Sequence, residues 1–250
     1  MKIQILSDCH LDHYSPLPEF ANLVCPGLQA DLLVIAGDLG DPEHSSYVQF
    51  LDWAAARWAQ VVLVAGNHEY YGRNLGQTIE LIRKLAGAWD NVHFLHQDKL
   101  ELNGLTILGT TLWSQIDPDL AHELANSLND WNQIKSFNYY LQNRHHSQQV
   151  KWLEKRLGEL ILADKPTLIV THHLPSYQLI HPHMAGSDLN CAFASHLDYM
   201  LSHPIKAWIC GHTHYPMQAT INKVPLVVNP VGYPDENTNW DKACVLELEL

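Results

Sequence analysis

The sequence predicts an α/β domain in which short buried strands alternate with amphipathic helices. Apolar runs of strand length recur along the chain, and apolar residues at helical spacing fill several of the intervals between them. The chain has 250 residues, of which 46% are hydrophobic, so it can bury a substantial core. No linker, low-complexity segment or internal repeat divides it, and we therefore expect one domain over residues 1–250.

Eight runs of aliphatic, often β-branched residues are predicted as strands. Most are bounded by Gly, Asp or Asn, which favour turns, and continuous apolar runs are typical of strands that are buried on both faces. The predicted strands are residues 3–6, 32–35, 61–64, 105–108, 168–170, 207–209, 226–228 and 245–250, the last of which alternates between apolar and polar residues.

Three segments between these runs have the periodicity of amphipathic helices. In the first, Tyr47, Phe50 and Ala54 share one face, and in the second, Asn74 stands where a helix N-cap is expected. The predicted helices are residues 46–59, 75–86 and 150–162.

Two segments fit neither pattern. Residues 114–146 are polar and aromatic with weak helical character, and residues 175–196 are rich in His, Pro and Gly. Long irregular segments in a compact domain are often functional loops, so we expect both to be insertions that form walls of a substrate site. In the second, His181, His183 and Asn190 are candidate substrate-binding residues, and a solvated loop is the alternative interpretation.

Polar clusters directly follow five of the predicted strands. The carboxyl ends of strands in an open α/β sheet form the ligand crevice, so the clusters can converge on one site. They are Ser7-Asp8-Cys9-His10, Gly37-Asp38-Leu39-Gly40-Asp41, Gly66-Asn67-His68-Glu69, Thr171-His172-His173 and Gly211-His212-Thr213-His214. This mixed set of oxygen and nitrogen ligands suits Mn, Fe, Zn or Co and disfavours a calcium cage or a thiolate zinc site.

The spacing in the first and last clusters favours paired ligands. Asp8 and His10 are two residues apart, as are His212 and His214, so in an extended chain each pair projects to one side. A glycine also precedes three of the candidate ligands, which favours a tight turn at the strand tip.

In this order the clusters resemble the motifs of the calcineurin-like metallophosphoesterases, which run DxH, GDxxD, GNH[DE], a lone His and GHxH. All five motifs are present between residues 8 and 214. Five ordered motifs are far more specific than any one of them. The resemblance implies a four-layer αββα sandwich, in which two mixed β-sheets are flanked by helices, with a dinuclear metal site at one edge.

The cofactors that the resemblance implies are two divalent transition-metal ions, with Mn expected first and Fe, Zn, Co or Ni as alternatives. The matching ligands are Asp8, His10 and His214 for the first ion, Asn67, His172 and His212 for the second, and Asp38 as the bridge between them. The residues alone leave open whether His172 or His173 is the ligand, and the family pattern favours His172.

The activity implied is hydrolysis of a small phosphomonoester or phosphodiester by in-line attack of a metal-bridging hydroxide. His68 matches the histidine that faces the substrate, and Asp41 matches the carboxylate that orients it. A non-catalytic scaffold and a nuclease are the alternatives, but scaffolds of this kind typically lose ligands and none is missing here. Protein Ser/Thr phosphatases extend the second motif to GDxVDRG, whereas this sequence reads GDLGDPE.

The charge and cysteine content narrow the expected partners and location. A formal net charge of -12 disfavours a nucleic-acid polymer, whereas a locally positive metal site can still bind a small phosphoester. The 5 cysteines are scattered, and the N-terminus lacks the apolar segment of a signal peptide. We therefore expect a cytoplasmic protein without a membrane span, of undetermined oligomeric state.

Overall fold

Two β-sheets with helices on their outer faces make up the protein, as seen in a computed structural model that describes residues 1–249 except the side chain of Asn126. The strands are β1 (Lys2–Leu6), β2 (Leu32–Ala36), β3 (Gln60–Val64), β4 (Val92–Phe94), β5 (Asp98–Leu102), β6 (Leu105–Gly109), β7 (Thr167–Val170), β8 (Ile205–Cys210), β9 (Met217–Ile221), β10 (Val224–Val228) and β11 (Val245–Glu247). The helices are α1 (Ser45–Ala55), α2 (Leu75–Ala86), α3 (Ala121–Ser127), α4 (Asp130–Gln133) and α5 (Tyr139–Leu162).

Both sheets are mixed. The first has the order β11-β1-β2-β3-β4, with β1 to β4 parallel and β11 antiparallel. The second has the order β5-β6-β7-β8-β10-β9, with parallel strands in the middle and antiparallel strands at both edges. Because parallel strands end at the same edge of a sheet, the loops after β1, β2 and β3 are neighbours, and so are the loops after β7 and β8.

The sheets pack face to face through an apolar core. Val34 and Val62 of the first sheet and Leu168 and Ile209 of the second belong to this core, and all four are fully buried. Alternate residues of each strand point to opposite faces, so the outer faces are apolar as well. Burial of both faces explains why these strands read as continuous apolar runs.

Helices cover the outer face of each sheet. Phe50 of α1 and Ile82 of α2 pack on the first sheet. Leu153 and Leu157 of α5 pack on the second sheet, in one apolar cluster with Trp208 of β8. The predicted αββα sandwich of two mixed β-sheets flanked by helices is therefore confirmed.

The predicted strands all occur, with ends shifted by up to three residues, but three edge strands were missed. In β5 and β9 half-exposed and exposed residues dominate, and β4 has three residues, so none presents a long apolar run. The last predicted strand ends at Glu247 in the structure, and residue 250 lies outside the described residues.

Helix α5 begins eleven residues before the predicted start at residue 150. Asn138 caps it by accepting a hydrogen bond from the N–H of Leu141. Its first turns bury Gln142, His146 and Gln149, which bond to residues of the 112–114 segment. A polar buried face has no hydrophobic periodicity, so the pattern could not predict these turns.

Candidate metal centre

Five loops from the two sheets meet at one edge of the sandwich. The Asp8 carboxylate, after β1, accepts hydrogen bonds of 2.9 and 3.1 Å from the N–H of His212, after β8. Nδ1 of His172, after β7, lies 2.8 Å from the carbonyl oxygen of Ala36, at the end of β2. Each contact joins one sheet to the other, so the polar clusters at the strand ends converge.

The candidate ligands have an unusual backbone conformation. Five of them have a left-handed conformation, with φ of 53° at Asp8, 45° at His10, 53° at Asp38, 76° at His212 and 47° at His214. Residues other than glycine rarely adopt this conformation, which costs about 1 to 3 kcal/mol each and clusters at functional sites. The expectation that strand-like alternation aligns each pair was therefore wrong, because left-handed turns direct these side chains.

Two glycines leave the space that the ligands occupy. A Cβ on Gly37, which has φ +87°, would overlap the His172 ring. A Cβ on Gly211 would lie 2.5 Å from Oδ2 of Asp8. The glycines before Asp38 and His212 thus serve both the turn and the close approach of a ligand.

The first group of candidate ligands comprises Asp8, His10 and His214, whose ligand atoms all lie within 4.8 Å of one another. Nε2 of His10 and Nε2 of His214 are 3.0 Å apart, and Nε2 of His214 is 3.6 Å from Oδ1 of Asp8. Asp8 and His10 are fully buried. These atoms face one shared point.

The second group forms around His172. Its Nε2 lies 3.0 Å from Oδ1 of Asn67 and 3.3 Å from Oδ2 of Asp38, and His212 lies in the same cluster. Oδ2 of Asp38 is also 3.9 Å from Nε2 of His10, so this carboxylate lies between the two groups. Its neighbour His173 instead packs on Trp113 and His212, and both of its ring nitrogens are buried without a hydrogen-bond partner among the described residues.

The two groups fit divalent transition-metal ions. Two neutral imidazoles whose Nε2 atoms face each other at 3.0 Å need a shared proton or a cation between them. Burial lowers the pKa of His10 and of His212 well below the usual range, which favours the neutral imidazole that binds metals. Burial opposes ionisation of Asp38, but His172 and His68 outweigh it and lower the pKa of that carboxyl. The donor set is mixed oxygen and nitrogen, as such ions prefer.

Comparison with known families decides the family of this chain. The family model described as calcineurin-like phosphoesterase matches residues 1–216. The chain is a calcineurin-like phosphoesterase. It is therefore a hydrolase of a family that uses a dinuclear divalent metal site, and the candidate ligand groups lie within the matched residues.

Known proteins similar to this phosphoesterase include one from a virus and two of solved structure. A protein of Acanthamoeba polyphaga mimivirus is 27% identical over 234 residues, covering 87% of this chain and 84% of the viral protein. Phosphopantetheinyl hydrolase from Mycobacterium tuberculosis superposes with a TM-score of 0.68 at 19% identity, over 93% of this chain and 90% of the other. A dimetal phosphatase from Danio rerio superposes with a TM-score of 0.57 at 14% identity, over 95% of this chain and 89% of the other. These structural likenesses support the fold.

The glutamate of the third motif ties two loops of the phosphoesterase together. Glu69 is fully buried and accepts hydrogen bonds from the N–H groups of Asp38, Leu39 and Gly66, at 3.1, 2.8 and 2.8 Å. Burial raises its pKa to about 8, with the Asp38 charge acting in the same direction. Glu69 therefore holds the loops after β2 and β3 in register.

Sequence reasoning missed two carboxylates that contact candidate ligands. Oδ1 of Asp130 accepts a 2.8 Å hydrogen bond from Nδ2 of Asn67, and Oε2 of Glu236 lies 2.5 Å from Nδ1 of His214. Outer carboxylates commonly orient metal ligands. Neither residue follows a predicted strand or belongs to a motif, so no local signal marked them, although Asp130 lies within the predicted insertion 114–146.

The proposed pairing of Asp41 with His68 is not formed in this structure. The Asp41 carboxylate accepts hydrogen bonds from Arg73 and from the N–H of Glu43. Nε2 of His68 instead lies 3.0 Å from the hydroxyl of Tyr233. Asp41 is therefore paired with Arg73 in this structure, and its role of orienting His68 stays a prediction.

The remaining candidate residues lie beside the cleft and not in its described lining. A cleft of about 310 Å³ is bordered by His68, His212 and His214, whereas His181 packs on Tyr215 with ring centroids 4.0 Å apart. The ring centroids of His181 and His183 are 4.9 Å apart. Asn190 is buried and donates to the carbonyl oxygen of Met184, so it shapes its own loop.

The cleft has aromatic walls on two sides. Tyr71 and Tyr233 flank His68, with ring centroids 4.3 and 5.8 Å away. Phe193 lies 5.0 Å from the ring of His212 and belongs to the predicted insertion 175–196. A larger hollow of about 700 Å³ lies beside α5, and none of the candidate ligands is in its described lining.

Proposed function

We propose that this phosphoesterase hydrolyses a small phosphomonoester or phosphodiester with two bound divalent metal ions. The observation that carries the proposal is the position of Asp38. Its Oδ2 lies 3.3 Å from Nε2 of His172 and 3.9 Å from Nε2 of His10, between the two ligand groups. A single carboxylate placed in this way suits a bridge between two ions.

The ligands proposed for the first ion are Asp8, His10 and His214, those for the second are Asn67, His172 and His212, and Asp38 serves both. We propose Mn as the native metal, with Fe, Zn, Co and Ni as alternatives that the same donors accept. Two such ions, when bound, polarise a phosphoryl oxygen and supply a nucleophile at neutral pH.

The proposed role of His68 is to protonate the leaving oxygen or to stabilise its charge. Its ring borders the cleft, and its backbone N–H donates a 2.8 Å hydrogen bond to Oδ1 of Asp38, which fixes it beside the ligands. Burial raises the pKa of Tyr233, so its hydroxyl keeps its proton and can donate to Nε2 of His68. Tyr71 packs on the other side of the ring.

The charge of the site supports a small anionic substrate. Asp8 and Asp38 offset part of the charge of two divalent ions, and Asn67 adds none, which leaves a local positive charge for a phosphoester. The rest of the chain is acidic, with a net charge of -12, which disfavours a long nucleic acid. This argues for a small substrate over the nuclease alternative.

A reconstitution assay tests the proposal. The protein is stripped with a chelator, loaded with Mn, Zn, Co or Ni, and assayed with p-nitrophenyl phosphate and bis(p-nitrophenyl) phosphate. We expect metal-dependent release of p-nitrophenol, abolished by Asp38→Asn, which keeps the size of the bridge and removes its charge. Bound metal without turnover of any ester would favour the scaffold alternative.

A second substrate to test follows from a structural neighbour. The Mycobacterium tuberculosis protein that superposes on 93% of this chain is a phosphopantetheinyl hydrolase. We therefore include a phosphopantetheinyl ester in the substrate panel. At 19% identity the likeness concerns the fold, so the assay decides whether the substrate is shared.

A cytoplasmic location is proposed from the cysteines. All five, Cys9, Cys25, Cys191, Cys210 and Cys244, are free thiols. Free thiols without disulfides fit a reducing compartment. Fractionation of cells that produce the protein tests this proposal. Separately, no helix within residues 1–249 is both long enough and apolar enough to cross a membrane.

A further inference from the structure

The side chain of Asp130 reaches the centre from outside the five motifs. Asp130 is the first residue of α4, in the 114–146 insertion, and 6% of its surface is exposed. Its Oδ1 accepts hydrogen bonds of 2.8 Å from Nδ2 of Asn67 and 2.8 Å from the hydroxyl of Tyr71. Nδ2 of Asn67 is also 3.3 Å from that hydroxyl, so the three side chains form a closed network.

This network fixes which way the Asn67 amide points. A carboxylate oxygen accepts hydrogen bonds and cannot donate when ionised, so it pairs with Nδ2 and not with Oδ1. The amide oxygen is then directed to the opposite side, where it lies 3.0 Å from Nε2 of His172. A metal ligand must be the oxygen, because the amide nitrogen carries two hydrogens and no free lone pair.

The position of Asp130 is itself held by the surrounding backbone. The N–H of Gly72 donates to the carbonyl oxygen of Gln133 at 2.8 Å, and the N–H of Lys135 donates to the carbonyl oxygen of Arg73 at 2.9 Å. Nε1 of Trp131 also donates to Oε1 of Gln142 on α5 at 2.8 Å. Helix α4 is therefore attached to the loop that follows the third motif, and Asp130 is held against Asn67.

We propose that Asp130 is a positioning residue that holds the Asn67 amide in the orientation in which its oxygen binds the second metal ion. The proposal rests on the proposed function, because it assigns Asn67 to that ion. It gives the 114–146 insertion a role in assembling the metal centre in addition to the substrate wall that the sequence predicts. Tyr71 shares the carboxylate and packs on His68, so the same network also supports the candidate catalytic histidine.

The test compares metal content and affinity among variants. Asp130→Ala removes the acceptor, so we expect affinity for the second equivalent of Mn or Co to fall about 10- to 100-fold. Asp130→Asn keeps an oxygen that can accept both hydrogen bonds, so we expect it to retain about two equivalents. Asp119→Ala, an exposed aspartate of the same insertion, is the matched control and should behave like the unaltered protein.

The measurements are elemental analysis after gel filtration and calorimetric titration of the chelator-treated protein with Mn or Co. Two tight equivalents in Asp130→Ala, as in the unaltered protein, would overturn the proposal while leaving the proposed function in place. Equal losses in Asp130→Asn and Asp130→Ala would also overturn it, because charge and not amide orientation would then be responsible. Fewer than two equivalents in the unaltered protein would overturn both.

A folding defect can be separated from this effect. Asp130→Val has no acceptor and leaves no cavity at this position, so it replaces Asp130→Ala if the latter fails to fold. For Asp130→Val we expect the same loss of affinity for the second metal equivalent as for Asp130→Ala. Far-UV circular dichroism and gel filtration of the metal-free protein establish that each variant is folded before metal is added.

Discussion

The hydroxyl of Tyr233 lies 3.0 Å from Nε2 of His68, and the Tyr233 ring stacks on His10 with centroids 4.3 Å apart. One side chain thus contacts both the candidate catalytic histidine and a candidate metal ligand. Tyr233 is 165 positions from His68 and lies beyond the last family motif. It takes the position beside the ring that the sequence assigned to Asp41.

Tyr233→Phe isolates the hydroxyl from the ring. We expect kcat to fall about tenfold, the cost of one hydrogen bond to the histidine, with metal content unchanged because the stacking on His10 remains. Steady-state kinetics with matched metal analysis measures both. Tyr215→Phe, whose ring packs on His181 beside the cleft, is the control and should keep the native kcat. A Tyr233→Phe variant with native kcat would contradict the role given to the hydroxyl.

His68→Ala tests proton delivery to the leaving group. We expect two bound metal ions to remain and kcat/KM to fall about 100-fold or more, with the largest loss on esters of poor leaving groups. A series of aryl phosphoesters that differ in leaving-group pKa measures this dependence. The exposed His122→Ala on α3 is the control. An equal loss across the series would argue against proton transfer by His68.

His212→Ala and His214→Ala should disturb different ions. His214 lies with Asp8 and His10, whereas His212 lies with Asp38 and His172. We expect each variant to lose affinity for about one equivalent of metal, and Asp38→Asn to weaken both because its carboxylate lies between the groups. Elemental analysis and titration with Co measure this. Identical behaviour of the two histidine variants at both sites would contradict the division.

His96 predicts how stability depends on pH. Burial, aided by Arg83, lowers its pKa to about 4 from the usual 6.5, and its Nδ1 is buried without a hydrogen-bond partner among the described residues. Well above pH 6.5 the ring is neutral in both states and contributes no pH dependence. Between these values the unfolded chain binds a proton that the folded protein excludes, so the free energy of unfolding falls as the pH falls.

The expected loss from this histidine is about 2 kcal/mol at pH 5 relative to pH 7. His96→Leu should lack that part of the pH dependence, and His122→Leu, at an exposed position, should retain it. Urea denaturation of the metal-free proteins at both pH values measures the difference. An equal pH dependence in His96→Leu and the unaltered protein would show that His96 does not titrate as described.

Much of the fold follows from local pattern, but not all of it. The strands buried on both faces, such as Leu32–Ala36, present continuous apolar runs, and the helix Leu75–Ala86 was predicted with the observed ends because Asn74 caps it and its apolar face is regular. The edge strands and the first turns of α5 bury little apolar surface or bury polar groups instead. Their stability depends on partners distant in sequence, such as the hydrogen bond from the N–H of Trp113 to Gln149.

The sequence by itself determined the chemistry of the centre. The seven candidate ligands and His68 lie in five short motifs directly after strands, and parallel strands in a sheet end together, so their residue types predicted one mixed oxygen and nitrogen site. The dinuclear arrangement was implied by the resemblance of the five ordered motifs to the phosphoesterase family. The carboxyl ends of β1, β2, β3, β7 and β8 bring those motifs to one edge.

Only the tertiary structure decided which side chains surround and orient those ligands. Asp130 meets Asn67, Glu236 meets His214, and Tyr233 meets His68, across separations of 63, 22 and 165 positions. The left-handed backbone of the ligands likewise follows from contacts between loops and not from local preference. The physical reason is that a metal ligand needs a suitable residue type at a strand end, and a short sequence motif contains that information. The group that orients the ligand can come from any segment that the fold packs beside it.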